Sequence, residues 1–246
     1  MSTSGKKHLL VSDEEEEDMC WLCHEGGPNE SGQPLRRDCS CRGRSGWAHL
    51  PCIVGHAKHK TEQWDGSDES GSDKFYEPWC ICSRCKQDYQ NELAVELANA
   101  FVSFVEKTYP DNQRKQLIAL RRKQVALLAK IRGNCLLQPK EMEETKHVSN
   151  RMLSITGQMK TVDPTLPKFI KQFEASAYNS LGQIALREET KEGAKTAVEH
   201  FEKVRDICET IGCTTGISVA ENNLAHAIAK YEGDSKADEY EQHQKL

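Results

Sequence analysis

Hydrophobic residues recur at helical spacing through the chain beyond residue 88. One amphipathic face carries Leu93, Leu97, Ala100, Phe101 and Phe104. The triplet Pro110-Asp111-Asn112 interrupts the pattern, and a second face follows at Leu117, Ile118, Leu120, Val125, Leu128 and Ile131. Apolar positions three and four residues apart line one side of an α-helix. The pattern therefore predicts amphipathic helices that pair through short turns.

A short segment repeats in the last third of the chain, after Pro164 and Pro167 end the preceding helix. Asn179-Ser180-Leu181-Gly182-x-Ile184-Ala185 recurs as Asn222-Asn223-Leu224-Ala225-x-Ala227-Ile228. The intervening segment carries one apolar face at Ala197, Val198, Phe201, Val204 and Ile207. Such self-similarity is typical of helical solenoids, and the small residues at 182 and 225 predict close helix approach. The pattern resembles tetratricopeptide repeats, in the form with a longer repeat period that is seen in kinesin light chains.

A stack of helical repeats presents a concave groove in which peptides bind. We expect Asn179 and Asn222 to line this groove, although turn or helix-cap positions would suit the two residues equally. Asn91-x-Leu93-Ala94 is a weaker, earlier copy of the repeat. The remaining cysteines, at 135, 208 and 213, lack paired ligands and are expected to be small core or surface residues.

The region before residue 88 has a different pattern, in which ligand residues are paired. Its pairs are Cys20-x2-Cys23, Cys39-x-Cys41, His49-x2-Cys52 and Cys82-x2-Cys85. Zinc takes four thiolate or imidazole ligands, and a CxxC turn brings two thiolates to one ion. Four pairs predict two structural zinc ions. Cys80 could instead pair with Cys82 as CxC, but we favour the CxxC pair of Cys82 and Cys85, with Cys80 as a bystander.

These residues resemble the RING-CH (RING-variant) zinc domains of ubiquitin ligases, whose ligands are four cysteines, a histidine and three cysteines. One residue separates Cys39 from Cys41, seven separate Cys41 from His49, and Trp47 lies two before the histidine. The resemblance implies interleaved sites. Their ligands would be Cys20, Cys23, His49 and Cys52 for one ion, and Cys39, Cys41, Cys82 and Cys85 for the other.

Proteins of this family position a charged ubiquitin-conjugating enzyme and carry no catalytic nucleophile of their own. By resemblance, Leu22 would contact the conjugating enzyme and Lys86 would bridge the enzyme and ubiquitin. The chain departs from the family at His56, where a tryptophan is usual, and at Ser83, where a proline is usual. Both departures concern the docking groove and leave the zinc ligands intact.

The charged fraction is 29% and the hydrophobic fraction 37%, which is typical of a soluble chain with small cores. The net charge of -5 argues against a protein that mainly binds nucleic acid. No apolar run approaches the roughly 20 residues of a membrane span, and there is no signal-peptide core. Cysteines at metal spacing suit a reducing compartment, so we predict a soluble intracellular protein, cytoplasmic or nuclear.

The composition divides the chain into four segments. We predict a disordered acidic tail (1–18), a RING-CH zinc domain (19–88) with a flexible insertion at 65–73, a helical tetratricopeptide-like domain (89–232) and a polar C-terminal tail (233–246). The expected fold is a small cross-brace zinc head followed by an all-α arm of helical hairpins.

Two charged segments have a second interpretation besides solvation. Leu9-Leu10-Val11 and Ser12 directly precede the acidic run that ends at Asp18, an order that resembles a SUMO-interacting motif. The second predicted helix of the arm is basic, and its face is either solvated or a docking surface for the acidic tail or an acidic partner. Its cations are Arg114, Lys115, Arg121, Arg122, Lys123, Lys130 and Arg132.

The favoured function is a soluble RING-CH ubiquitin ligase that recruits protein substrates through its helical arm. The alternative is a non-enzymatic zinc adaptor, either a PHD-like reader or a tetratricopeptide scaffold with a structural zinc head. PHD fingers usually have four or five residues between the fourth ligand and the histidine, and a tryptophan two before the seventh ligand. This chain has seven residues in that interval, and Cys80 occupies the other position.

Overall fold

The structure is a computed structural model that describes residues 18–42, 46–64, 72–133, 139–162 and 168–244. Within these ranges the chain forms eight α-helices and three isolated antiparallel bridges, with no extended strand. The helices are α1 (Leu50–Glu62), α2 (Ser72–Cys80), α3 (Asn91–Thr108), α4 (Gln113–Gly133), α5 (Pro139–Val162), α6 (Lys168–Arg187), α7 (Lys191–Ile211) and α8 (Thr214–Gln244).

The N-terminal head is built from turns and two helices. Helix α1 follows His49, whose extended backbone forms the N-cap, and Pro51 lies in its first turn, where a missing N–H leaves no bond unmade. Helix α2 packs against α1, and the indole Nε1 of Trp79 donates to the hydroxyl of Thr61 at 2.8 Å. The last two residues of the predicted insertion, 72 and 73, are the first residues of α2.

Both amphipathic helices predicted from the first two apolar faces are present as α3 and α4. Leu97 and Phe101 of α3 and Leu117 of α4 are fully buried. The assignment of Val125 to the core face is wrong, because this side chain is 40% exposed. Leu127 fills the core instead, since the buried stripe of α4 passes through Gln124, Leu127 and Leu128 and leaves position 125 to one side.

Two cations of α4 are neutralised by acids on the neighbouring helices. Lys123 pairs with Glu144 of α5 at 2.6 Å, and Lys130 contacts Glu92 of α3 and Glu141 of α5. At these two lysines the basic face is therefore a helix interface, and neither of the two interpretations from the sequence describes it.

The repeated segment lies on α6 and α8, with α7 packed between them. Thr190 caps α7 by accepting the amide of Gly193, and Gly212 ends it with a left-handed backbone (φ 66°). Gly182 is the point of close approach, because a Cβ there would lie 2.6 Å from the ring of Phe201. The same expectation is wrong for Ala225, which is exposed. Backbone helix continues to Gln244, beyond the predicted start of the C-terminal tail.

The head and the helical region share two hydrophobic cores. Tyr89, Leu93 and Leu97 pack against Ile53 and the cysteine-rich turns of the head. In the other core Trp79 stacks on Phe101 of α3 at a centroid distance of 5.1 Å, beside Phe75 and Phe104. Arg36 of the head also pairs with Glu96 of α3 at 3.0 Å. Helix α3 therefore belongs structurally to both regions.

Candidate metal centres and the surrounding surface

The eight predicted ligands converge in two clusters of four. One cluster contains Cys20, Cys23, His49 and Cys52, and the other contains Cys39, Cys41, Cys82 and Cys85. In each cluster the four ligand atoms lie within 4.8 Å of one another. Each cluster combines two sequence pairs that are separated by another pair, which confirms the interleaved arrangement implied by the RING-CH resemblance.

The spacing of the ligand atoms fits tetrahedral zinc. The Sγ atoms of Cys41 and Cys82 are 3.8 Å apart, and His49 Nδ1 lies 3.4 Å from Cys23 Sγ and 3.8 Å from Cys52 Sγ. A tetrahedron with Zn–S bonds of about 2.3 Å and Zn–N bonds of about 2.0 Å has S···S edges of about 3.8 Å and S···N edges of about 3.5 Å. Two zinc ions therefore fit with little movement of these side chains.

His49 is held in the orientation that a zinc ligand needs. Its Nδ1 faces the thiols, and its Nε2 lies 2.9 Å from the carbonyl oxygen of Gly27. Because a carbonyl only accepts, Nε2 carries the hydrogen, which leaves Nδ1 with the lone pair for metal. A hydrogen bond from the distal ring nitrogen is the usual way in which proteins orient a ligating histidine.

The two CxxC pairs have the same backbone geometry. In the first, Cys20 N–H donates to Glu25 and His24 N–H donates to the Cys20 carbonyl. In the second, Cys82 N–H donates to Gln87 and Lys86 N–H donates to the Cys82 carbonyl. His24 and Lys86 both adopt left-handed φ values, 64° and 58°, directly after the second cysteine.

This turn also favours ionisation of one thiol in each pair. Burial opposes ionisation of Cys20, but backbone amides, above all that of Cys23, outweigh it and lower its pKa to about 7. Burial similarly opposes ionisation of Cys85, and the amide of Gln87 leads the contacts that lower its pKa to about 7. Burial raises the pKa of Cys52 to about 12. Since zinc binds thiolates, metal binding at neutral pH must release protons from the less acidic thiols.

Cys80 is outside both clusters. It lies in the last turn of α2, where its thiol donates to the Tyr76 carbonyl at 3.5 Å. The question left open by the sequence is therefore answered in favour of Cys82 as the partner of Cys85.

Gly46, which lies between the fourth ligand and the histidine, passes very close to Cys41 and Arg37. A Cβ at this position would lie 2.5 Å from the Cβ of Cys41 and 2.9 Å from Cγ of Arg37. The chain can pass this close to the ligand only without a side chain, so the approach needs glycine.

Leu22 and Lys86 lie on the two zinc turns. Leu22 is half-buried, and Lys86 is exposed. Beside them, the indole of Trp21 meets the His56 ring edge-on at 5.7 Å, and the Arg84 guanidinium lies 5.6 Å from the Trp21 ring centre. The sequence analysis missed Trp21 and Arg84 as surface features, although both residues directly adjoin zinc ligands.

The two predicted groove residues have different environments. Asn179 of α6 is half-buried, and its Oδ1 accepts a hydrogen bond from Nδ2 of Asn223 at 2.9 Å. Asn222 of α8 is exposed. The partner of Asn179 is thus Asn223, which directly follows the predicted groove residue Asn222.

Other residues singled out in the sequence have simpler outcomes. Cys208 is buried and Cys213 half-buried, and they pack between α7 and α8, as expected for small core residues. Cys135 and the proposed SUMO-binding residues 9–17 lie outside the described residues.

A cavity of about 650 Å³ lies between helices α3 and α4 and the chain at residues 79–80 and 88–90. Its walls include Tyr89, Ala98, Phe101, Val125 and Ala129. Val125 is exposed and lines this cavity, and the apolar pattern of α4 alone could not distinguish a cavity wall from a core.

Comparison with known families identifies a RING-variant domain at residues 20–64. No curated protein matches the chain. The matched segment contains the first six ligands, from Cys20 to Cys52. Cys82 and Cys85 follow it, and α1 and α2 bring them back to complete the second cluster. None of the helices in the described residues is long and apolar enough to cross a membrane.

Proposed function

We propose that this chain is a RING-CH-type ubiquitin-protein ligase. The observation that carries the proposal is the RING-variant match together with a complete, interleaved set of eight zinc ligands. RING-variant domains are typical of ubiquitin ligases. In this role the zinc head docks a charged ubiquitin-conjugating enzyme, and the helical region recruits the protein substrate.

The reaction would proceed through positioning. The conjugating enzyme already carries ubiquitin as a reactive thioester, so the ligase accelerates aminolysis by holding that thioester in a productive geometry. Leu22 supplies the apolar contact with the conjugating enzyme. Lys86, on an exposed turn next to the last ligand, bridges the enzyme and ubiquitin.

The aromatic pair of Trp21 and His56 supports docking at this surface. Position 56 has a histidine where the family usually has a tryptophan, yet the indole of Trp21 packs directly against that histidine. This pair extends the apolar surface beside Leu22, and aromatic anchors are enriched at the centres of protein interfaces. Trp21 can therefore supply the aromatic contact that position 56 lacks.

Substrate recruitment is assigned to the helical hairpins, which we interpret as tetratricopeptide-like repeats. The serial packing of α6, α7 and α8 and the close approach at Gly182 support this interpretation. Asn179 and Asn222 would offer amide groups to an extended peptide in the groove. The thiol ligands need a reducing environment, so we place the protein in the cytoplasm or nucleus.

A second partner is proposed for residues 9–18. Three aliphatic residues followed by acids have the layout of a segment that adds to a sheet edge of SUMO, with the acids facing a basic rim. Titration of a peptide covering residues 5–20 into labelled SUMO should shift NMR signals along one sheet edge, more strongly when Ser12 is phosphorylated. Unchanged spectra at millimolar peptide would eliminate SUMO as a partner.

A self-ubiquitylation assay with the full chain tests the proposed activity. We expect ubiquitin chains with at least one conjugating enzyme of a broad panel, and their loss when zinc is removed. If the zinc-loaded chain forms none with any member of the panel, the alternative of a non-enzymatic zinc adaptor, a PHD-like reader or scaffold, replaces the ligase.

A further inference from the structure

A cleft between α2, α4 and α6 collects three arginines and three aromatic rings. Its volume is about 200 Å³. The arginines, Arg114, Arg121 and Arg122, all come from α4. The aromatic rings are those of Tyr76, Phe169 and Phe173, and Ile118 completes the wall.

Apart from Lys115 and Arg132, which contact the Tyr109 ring and the Gln183 amide, the cations of α4 fall into two groups. Lys123 and Lys130 are neutralised by acids of neighbouring helices. Within the part of the chain that the structure describes, no carboxylate lies at ion-pair distance from the three cleft arginines. The cleft therefore concentrates positive charge that the fold itself leaves unbalanced.

The guanidinium groups are held in fixed positions. Arg122 stacks 3.3 Å from the ring centre of Tyr76, and Arg114 lies 4.4 Å from that of Phe169. Stacking on a ring occupies the face of a guanidinium and leaves its N–H edge available for hydrogen bonds. Aromatic packing thus prepares these groups to bind an anion.

Arg121 is fixed by a buried polar network. Its Nη1 donates to Oε1 of Gln124 at 3.1 Å, and Gln124 in turn bonds to Ser149 and Ser176. Burial, with the nearby charges of Arg122 and Arg132, lowers the pKa of Arg121 to about 10. A guanidinium has five N–H donors, so most of its donor capacity is left for a ligand.

We propose that this cleft binds a phosphorylated side chain of a protein partner. A phosphate monoester carries a charge of roughly -1.5 to -2 near neutral pH and offers three acceptor oxygens, which matches a group of arginines better than one carboxylate does. The apolar walls, Ile118, Phe169 and Phe173, would contact the carbon atoms that carry the phosphate.

The surroundings favour a protein over a nucleic acid. A phosphate backbone is bound along an extended basic surface, and affinity grows with the number of phosphates neutralised. Here Lys123 and Lys130 on the same helix are already paired with acids, so the basic surface of α4 is interrupted rather than continuous. The net charge of the chain, -5, also disfavours polyanions.

Binding in this cleft is independent of the proposed ligase activity and is measured without any conjugating enzyme. If both hold, phosphorylation becomes the mark by which substrates are selected. The cleft takes Phe169 and Phe173 from the first turns of α6, whereas Asn179 lies further along α6 and Asn222 lies on α8, so the two surfaces can be tested separately.

The test uses the full zinc-loaded chain and fluorescent peptide pools with a fixed phosphoserine, phosphothreonine or phosphotyrosine. Matched pools carry the unphosphorylated residue or glutamate. We expect at least one phosphorylated pool to bind ten or more times tighter than both matched pools in fluorescence anisotropy. Equal binding of phosphorylated and glutamate pools, or no binding of any pool, would overturn the proposal.

Variants locate the site. Arg122→Gln and Arg114→Gln should each weaken binding about tenfold, and Arg121→Gln should weaken it further, with circular dichroism to check folding. Lys123→Gln, which removes a cation from the same helix outside the cleft, should bind normally. If Lys123→Gln weakens binding more than the three arginine variants do, the ligand binds elsewhere and the assignment is refuted.

Two competitors test the source of the anion. Inorganic phosphate should displace the phosphopeptide only at concentrations at least a hundredfold above the peptide's Kd. A peptide of residues 10–18, which carries the chain's own acidic run, should compete no better than the glutamate pool. If either competitor matches the phosphopeptide, the cleft is a site for free phosphate or for the chain's own acidic segment, and the proposal fails.

Discussion

His49 links three parts of the head through its backbone and its side chain. Its backbone occupies the N-cap position of α1, its Nδ1 faces the thiols of the first cluster, and its Nε2–H donates to the carbonyl of Gly27. The ring is 1% exposed. A residue that combines a helix start, a metal ligand and a loop contact fixes the relative positions of all three.

Leu22 and Lys86 should affect different steps of ubiquitin transfer. Leu22→Ala removes an apolar interface contact, and an anchor of this kind contributes about 1–2 kcal/mol, so the affinity for the conjugating enzyme should fall about tenfold. Lys86→Ala should leave that affinity nearly unchanged and slow transfer, because Lys86 acts on the ubiquitin-loaded complex. Calorimetry and chain-formation rates measure the two effects.

Matched controls separate contact from folding. Val219→Ala shortens an exposed aliphatic residue of α8, and Lys107→Ala removes an exposed lysine of α3, both outside the zinc turns. Both controls should behave as wild type, and all four variants should retain full zinc content. If Leu22→Ala and Lys86→Ala both retain wild-type activity with every conjugating enzyme, the proposed contacts are contradicted.

Gly182 and Gly157 should respond to alanine with opposite signs. A Cβ at 182 meets the fully buried ring of Phe201 at 2.6 Å, and such overpacking costs about 1–3 kcal/mol. Nothing lies within 4 Å of a Cβ at 157, so alanine there gains about 1 kcal/mol of helix propensity. Thermal unfolding should show a lower Tm for Gly182→Ala and a higher Tm for Gly157→Ala. An unchanged or raised Tm for Gly182→Ala would contradict the close approach.

Gly182, Ala225 and Val125 show which features of packing the apolar pattern of the sequence cannot predict. Gly182 was correctly placed at a close contact, but Ala225, its counterpart in the repeat, is exposed because α8 has no further described helix packed on that side. Val125 follows the apolar pattern of α4 yet lines a cavity. Periodicity indicates which face is apolar, and only the packed neighbours decide how much of that face is covered.

Helix α3 joins the zinc head to the helical region. Leu93 and Leu97 complete the core of the head, while Phe101 and Phe104 on the same helix contact Trp79 of α2. A division of the chain at residue 88 or 89, made on composition, separates residues that share these cores. The amino-acid composition changes after the second zinc turn, whereas the two hydrophobic cores contain residues from both sides of that boundary.

A fragment ending at residue 90 should therefore be less stable than one ending at Gly133. Loss of Leu93 and Leu97 exposes the core around Ile53, and each fully buried leucine contributes about 1.5–3 kcal/mol. We expect the shorter fragment to bind a dye for exposed apolar surface and to melt earlier, while both fragments bind zinc. Equal melting temperatures would show that the head folds without α3.

Helix α2 was the element hardest to predict. Its first residues end an acidic, low-complexity stretch that is typical of a loop, and only Phe75 and Trp79, four residues apart, indicate a buried helical face. Both side chains are buried, and Trp79 bonds to Thr61 of α1. The helix is stabilised mainly by contacts with α1, α3 and α4, which no local pattern reveals.

At the scale of the whole molecule, the metal sites could be predicted and the arginine cleft could not. Zinc ligands occur as close pairs, so their spacing along the sequence already specifies the chemistry. The cleft combines α4 with rings from α2 and α6, and its charge depends on which cations are paired across helices. The sequence showed a basic helix, but the identity of the unpaired arginines required the packed structure.

Zinc stoichiometry should follow the interleaved arrangement. Native mass spectrometry of the full chain should give two zinc ions, and Cys39→Ser or Cys85→Ser should reduce the number to one, because both residues serve the second cluster. Cys80→Ser is the matched control and should retain two ions. Strong chelation should remove both ions and unfold the head, since the metal supplies much of its folding free energy. Two ions bound to Cys39→Ser would contradict the assigned ligands.

The most direct test of the proposed function is single-turnover discharge of ubiquitin from a charged conjugating enzyme to free lysine. This measurement needs no substrate protein and reports only how well the head positions the thioester. We predict that the zinc-loaded chain accelerates discharge at least tenfold with a suitable conjugating enzyme, that Leu22→Ala and Lys86→Ala largely remove the acceleration, and that Val219→Ala retains it. A chain with both zinc ions bound that accelerates discharge from no conjugating enzyme of a broad panel would contradict the proposal.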